Sequence, residues 1–390
     1  MPSPVVHMFC LLCCTIIVLD LSPVFGLKIL QVAPGLSSSH VLFNNRLAEM
    51  LTEQGHNVTL WMPVEIGPGN ADKMRGLDAA LPGVRKLHIT VHLNESVIQL
   101  VQSVAFVSNQ LSVMLKLVPV FQRTWLEKCR VQVEDVTALL DELRAETFDL
   151  AILHYLDVCP FALAHTLGIK KQVWLSPAIF ISDYSAIKLG IPSNPSYVPS
   201  MISSFSDRMS FVQRVENTLW LSMAYMAELG GFYRSQAELY RQPPNEDYPN
   251  LLEMPYDVLT LFINGDPTID FPRPLPYGFT YTGALQKASA DKRKKGKLSE
   301  EWLKIMNTAK KGVILFSLGT VANTSNMPME MKEEFFKGFQ AFTGEYEIIW
   351  RLEGALPANV ESARNIHIVK WLPQSDLLGK KMLTSSFESK

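Results

Sequence analysis

The chain has 390 residues, 47% of them apolar and 19% charged, with a formal charge of -2. That balance is the composition of an ordinary folded protein of about two domains, and it excludes the basic footprint of a nucleic-acid binder because the cationic residues are few and scattered. No fixed-period repeat of the solenoid kind and no low-complexity tract interrupts it.

The first element is an apolar run, VVHMFCLLCCTIIVL, too short for a comfortable membrane span and followed by Ser22, Pro23, Val24 and Gly26. It reads as a secretory signal peptide over residues 1–26, with an uncleaved anchor as the alternative because its positive flank is weak. Passage through the secretory lumen fits the glycosylation sequons at Asn57, Asn94 and Asn323. Of the five cysteines, Cys10, Cys13 and Cys14 leave with the signal, and Cys129 and Cys159 remain to pair or stay free. No later stretch of about twenty uninterrupted apolar residues follows.

Residues 27–63, LKILQVAPGLSSSHVLFNNRLAEMLTEQGHNVTLWMP, predict strand, loop, helix and strand. The length and the lack of a hairpin turn suit a right-handed crossover between parallel strands. In such units the polar groups just after the first strand face the crevice where ligands bind, and His40 stands there. A histidine in a helix's first turn is ordinarily a solvated residue. At a strand-to-helix mouth it can instead act as a general base if a carboxylate orients it. The loop lacks GxGxxG, which argues against a dinucleotide.

Residues 97–125 are apolar but broken by polar positions, and predict a core helix pair, with an acceptor-binding or membrane-surface face as the other reading. A helical pattern over 131–144 precedes FDLAILHY, whose residues 148–153 predict a buried parallel strand. His154 and Asp157 lie just beyond its carboxyl end, within reach of His40 if the two strands are neighbours. Helix over 159–167, strand over 171–175, a turn-rich loop GIPSNPSYVP and a long helical stretch over 207–241 packing across the first domain complete this half. A strand over 258–264 and the extended DFPRP at 270–274 follow.

Between residues 283 and 302 the composition shifts to GALQKASADKRKKGKLSEEW, a solvated linker with a domain boundary inside it. A second doubly wound pattern then opens with GVILFSLGT, a strand over 313–316 ending in Ser317, Gly319 and Thr320. Small residues there let backbone amides approach a phosphate at a helix N-terminus. Strands over 346–351 and 366–371 lead into WLPQSDLL.

The strings SSSH at 37–40, PSYVP at 195–199, DFPRP at 270–274, GVILFSLGT at 312–320, IIWRLEG at 348–354 and WLPQSDLLG at 371–379, in that order, closely resemble the UDP-glucuronosyltransferases and related UDP-glycosyltransferases, particularly the invertebrate members. The resemblance implies an α/β chain of GT-B architecture: two Rossmann-like domains, an acceptor domain over 27–285, a linker over 286–300 and an incomplete UDP-sugar domain over 301–390. It implies a metal-independent inverting transfer of a sugar from a UDP-sugar, a co-substrate rather than a cofactor, to a hydroxyl of a small lipophilic acceptor. His40 matches the catalytic base. Ser317, Gly319 and Thr320 match the diphosphate loop, Trp371 and Gln374 the start of the donor signature, and Arg273 a donor-binding position.

Two departures accompany the match. His154 stands where the family places the carboxylate that orients the base, with Asp157 three residues on as its substitute. Past Gly379 the chain reads KKMLTSSFESK, whereas the family continues through a His-Gly-Gly turn, an Asp-Gln pair that holds the sugar, and a membrane anchor. The expectation is a truncated second domain with its strand at 366–369 near an uncovered edge, located in the endoplasmic reticulum lumen or secreted. The alternative function is an acceptor-binding or regulatory form that pairs with full-length relatives. GxSxG and HExxH are both lacking, which sets hydrolase chemistry aside.

Overall fold

Short apolar runs separated by amphipathic helices fold here as two parallel sheets. A computed structural model describes residues 26–35, 37–66, 80–92, 106, 110–134, 137–179, 181, 183–200, 203–227, 233–241, 247–276, 278–283, 298–319, 322–342, 344–378 and 383–388. The signal segment, Asn94, Thr320 and most of the linker lie outside the described residues.

The first sheet has seven strands: β1 (Lys28–Val32), β2 (Asn57–Ile66), β3 (Val84–His92), β4 (Leu150–His154), β5 (Gln172–Ser176), β6 (Leu261–Ile263) and β7 (Phe279–Tyr281). Their spatial order is β3-β2-β1-β4-β5-β6-β7, and every pairing is parallel. The central strands are buried on both faces, so adjacent residues of β1 feed different cores. Leu30 and Val32 join a cluster with Phe161, Trp174 and Tyr233, while Ile29 joins one with Val41, Phe43 and Ala48. This gives helix, sheet, helix layering. Full burial of Trp61 and Trp174 stabilises these layers by about 2–3 kcal/mol per side chain before entropy is counted.

Helix α1 (Ser38–Glu53) starts where Ser37, in extended backbone, caps it. It ends in a turn whose Gly55 has φ +91°, a conformation that favours glycine. Helices α2 (Gln110–Glu134), α3 (Thr137–Glu146), α4 (Cys159–Thr166), α5 (Asp183–Lys188), α6 (Phe211–Ala227) and α7 (Tyr233–Tyr240) follow.

Several sequence expectations are corrected here. The helix pattern read over 131–144 is split, because α2 runs through to Glu134 and α3 begins at Thr137. Pro119 inside α2 is exposed, so water can serve the carbonyl its missing N–H leaves unpaired. The stretch over 207–241 is two helices: α6 buries Asn217 and Ala224, and α7 buries Tyr233, Gln236, Ala237 and Tyr240. Helix α6 is held by Asn217, whose side chain bonds the carbonyls of Pro195 and Val198 and the N–H of Ser200, and so pins the PSYVP loop. Its other face leaves Phe211 78% exposed, with Val215, Leu219 and Met223 also exposed. No described helix is long and apolar enough to cross a membrane. The edge strands β3 and β7 were not anticipated. An edge strand is half solvated, so its residues alternate with polar ones instead of forming an apolar run.

The second sheet comprises β8 (Gly312–Ser317), β9 (Tyr346–Arg351), β10 (Ile366–Val369) and β11 (Leu383–Glu388) in the order β10-β9-β8-β11, again all parallel. Helices α8 (Glu300–Thr308), α9 (Met329–Gln340) and α10 (Gln374–Leu378) accompany it. Ile348 and Trp350 face a core built by Phe316, Phe336 and Phe339, and Ile349 faces the opposite one. As expected, β10 lies at an edge. The terminal segment, to which the sequence reading assigned no element, forms β11 beside β8.

Candidate active site

Strand order decides where the functional groups meet. β1 lies between β2 and β4, with Val32 opposite Leu153, so the segments leaving β1 and β4 emerge side by side where the order of connection reverses. Ligands bind in that crevice in open α/β sheets.

On the β1 side, a polar link sets the angle of α1. Gln31 Nε2 donates to the carbonyl and the side-chain oxygen of Asn44, and Asn44 Nδ2 donates to the His40 carbonyl at 2.9 Å. The His40 ring is fixed in turn by a 2.7 Å hydrogen bond between Nδ1 and Ser37 Oγ. With Nδ1–H donating to Ser37, Nε2 carries the lone pair. Among the described residues no carboxylate hydrogen-bonds to His40.

On the β4 side, His154 and Asp157 are buried, with His154 Nε2 3.6 Å from Asp157 Oδ2. The other Asp157 oxygen accepts the Cys159 N–H at 2.9 Å. Asp157 thus sits against His154 rather than against His40. Cys129 and Cys159 form a disulfide, joining α2 to the start of α4. Among the described residues the one cluster of metal-capable groups is Cys129, Asp157 and Cys159, and its two sulfurs are used in that disulfide.

A group that sequence reasoning missed is Lys128. It is buried on α2 and its charge reaches all three of the others. Burial, then the Lys128 charge, pulls His40 down to about 4, and the same two causes hold His154 well below the usual imidazole range. Burial pushes Asp157 up to about 7, against the opposing effects of Lys128 and the Cys159 N–H.

These shifts fix the sign of a pH dependence. Asp157 has a folded value above its unfolded one, so its contribution is fully present below the ordinary carboxyl range and is lost as pH rises to about 7. His40 acts oppositely, losing stability as pH falls from 6.5 to about 4. Asp157→Asn, which keeps an acceptor for Cys159 and carries no charge, is expected to be more stable than the wild type by about 2–4 kcal/mol at pH 8 and nearly equal to it at pH 4. Urea unfolding at both values checks this, and an equal effect at the two would assign the cause to packing.

In the second half, β8 ends at Ser317, whose Oγ accepts the Gly319 N–H at 3.3 Å, and Gly319 turns with φ +78°. Trp371 is 66% exposed and Gln374 opens α10. Arg351, at the end of β9 and unremarked in the sequence, joins these parts. Its guanidinium donates to the Gly319 carbonyl and, at 3.0 Å, to that of Lys370, pairs with Glu353, and stacks 5.3 Å from the Trp371 ring centre. Buried Lys332 secures the following turn by donating to the carbonyls of Glu353 and Ala355. Arg273 lies between β6 and β7, paired with Asp270 at 3.1 Å, and Asp270 also accepts the Tyr281 hydroxyl. Asn57 is exposed at the start of β2, whereas Asn323 caps a short 3-10 turn through its side-chain oxygen. An open cavity of about 520 Å³, lined by Thr308, Glu345, Glu347 and Arg364, lies by the amino ends of β9 and β10, away from Gly319 and Trp371.

The profile of one family, described as UDP-glucoronosyl and UDP-glucosyl transferase, matches residues 28–387. The chain belongs to that family. The Caenorhabditis elegans protein ugt-60 is 35% identical, over 92% of this chain and 70% of its own length. Caenorhabditis elegans ugt-48 is 28% identical over 91% of this chain and 66% of its own. UDP-glucuronosyltransferase 1A4 of Homo sapiens is 29% identical over 66% of this chain and 46% of its own. The chain therefore spans about two thirds of the length of its nematode relatives and less of the human one. Among solved structures, Phytolacca americana UGT2, complexed with UDP-2fluoro-glucose and pterostilbene, has a TM-score of 0.52 at 15% identity, over 93% of this chain and 76% of that one. TcCGT1 in complex with UDP has a TM-score of 0.51 at 11% identity, over 93% and 77%. These likenesses establish the fold, and the family member has the GT-B architecture.

Proposed function

We propose that this family member transfers a sugar, with inversion, from a UDP-sugar to a hydroxyl of a small lipophilic acceptor, with His40 as the base. The observation that carries the reading is the placement of His40 at the carboxyl end of β1, its Nδ1 held by Ser37 and its neighbours supplied by the end of β4. Nε2 takes the acceptor proton as the oxygen attacks the anomeric carbon and UDP departs. On the donor side Gly319 leaves room for the diphosphate, and Trp371, braced by Arg351, offers an open indole face for a base to stack on. Ser317, Thr320, Gln374 and Arg273 complete the donor set by family position. The scheme calls for neither a metal nor a cofactor, the UDP-sugar being a co-substrate. The Cys129–Cys159 disulfide supports passage through an oxidising secretory compartment.

Isothermal titration of UDP into the purified chain from Leu27 onward tests the donor half. Binding at micromolar strength, followed by turnover with UDP-glucuronic acid or UDP-glucose, is the expected result. The seven-stranded acceptor half beside a four-stranded second sheet favours one other reading, an acceptor-binding partner of longer relatives. Acceptor binding without any UDP binding would select it.

A further inference from the structure

Lys128 stands among the groups at the heads of β1 and β4 and has no part in the transfer as outlined above. It is 2% exposed, and its Nζ lies 4.1 Å from the centre of the Trp125 ring. That ring is 6.2 Å from the His154 ring, whose Nε2 approaches Asp157 at 3.6 Å. The lysine is held on both sides. Cys129, the next residue, is bonded to Cys159, two residues past Asp157. One turn on, Gln132 accepts the Trp61 indole N–H at 2.9 Å and donates to the carbonyl of Lys128 itself at 3.0 Å. Helix α2 is thereby stapled to α4 and to β2, so the ammonium cannot swing out to water as a surface lysine does.

Among the described residues, Lys128 of α2 acts on His40, Lys128 and His40 both act on His154, and Lys128 acts on Asp157, whose own charge reaches Tyr240 of α7. The neighbour that acts on His40 most directly is thus a cation, where an orienting carboxylate would be an anion. A positive charge in a poorly solvated site weakens an imidazole as a store for a proton and stabilises an oxyanion placed beside it.

We propose that Lys128 is a specificity-determining residue of the acceptor site, whose buried ammonium stabilises the acceptor oxygen as an anion, so that the site selects phenolic and carboxylic hydroxyls over alkyl alcohols. The inference rests on the assignment of the acceptor site to His40. In the step, the acceptor O–H bond breaks and its proton passes to His40 Nε2 and then to water. The oxygen's electron pair forms the bond to the anomeric carbon, whose bond to UDP breaks with the pair leaving on the diphosphate.

The test is a spectral titration of 4-nitrophenol, which is coloured only as its phenolate, bound to the wild-type chain and to Lys128→Met, Lys128→Arg and His40→Ala. Bound to the wild type or to Lys128→Arg, the probe is expected to ionise about tenfold more readily than in water. Lys128→Met should bind it and lose that shift, and His40→Ala should weaken binding. Ionisation at the free probe's pH in the wild type overturns the proposal, as does a shift retained in Lys128→Met. Loss in both Lys128 variants assigns the effect to packing and also overturns it. Full binding by His40→Ala, or none by the wild type, removes the acceptor-site assignment itself, and the inference falls with it.

Discussion

His40→Ala is expected to lower sugar transfer by about a hundred- to ten-thousand-fold, the range lost when a positioned general base is removed. The loss should fall on kcat, with UDP affinity unchanged, because His40 belongs to the first sheet whereas Ser317, Gly319 and Trp371 belong to the second. The fold should survive. Buried Gln31 and Asn44 fix α1 through the His40 backbone carbonyl, which alanine retains. Single-turnover kinetics beside a UDP titration separate the two quantities. A fall in UDP binding equal to the fall in rate would show that the substitution damaged the protein rather than the base.

Replacing both Cys129 and Cys159 by alanine is expected to cost about 3–4 kcal/mol, the chain-entropy value for a closed loop of this size, given a sequence separation of 30. The disulfide ties α2 to the start of α4 within the larger core of the first domain, so the loss should appear in that domain's unfolding and spare the second. Urea unfolding followed by tryptophan fluorescence, with and without reductant, checks this. The wild type in reductant should match the variant, and the variant should not respond to reductant. The same cut frees one of the two staples on Lys128, so nitrophenol ionisation should move with it.

Much of the architecture was legible because buried parallel strands are apolar on both faces and stand out as runs. The strands β1, β4, β5, β8 and β9 were read that way, as was the helix after β1. β3, β7 and β11 were not, since edge strands carry polar residues on the solvent side and take their strand character from the neighbour that pairs with them. Helix limits failed where tertiary context overrode pattern, as over 131–144, which is divided between the end of α2 at Glu134 and the start of α3 at Thr137.

His40, His154 and Asp157 were legible as candidates from sequence alone because all three follow apolar strands, and the carboxyl ends of parallel strands converge on one crevice. What the sequence by itself determined, then, is the class of fold, the family strings and these strand-end groups, all properties of local order along the chain. Only the tertiary structure decided that β4 lies beside β1, that Cys129 reaches Cys159, that Asp157 turns to His154 rather than His40, and that Arg351 binds the Gly319 turn to Trp371. It alone placed Lys128 among the titrating groups. A lysine in a helical pattern reads as solvated until the packing around it is known, and it is the loss of water there that gives its charge reach.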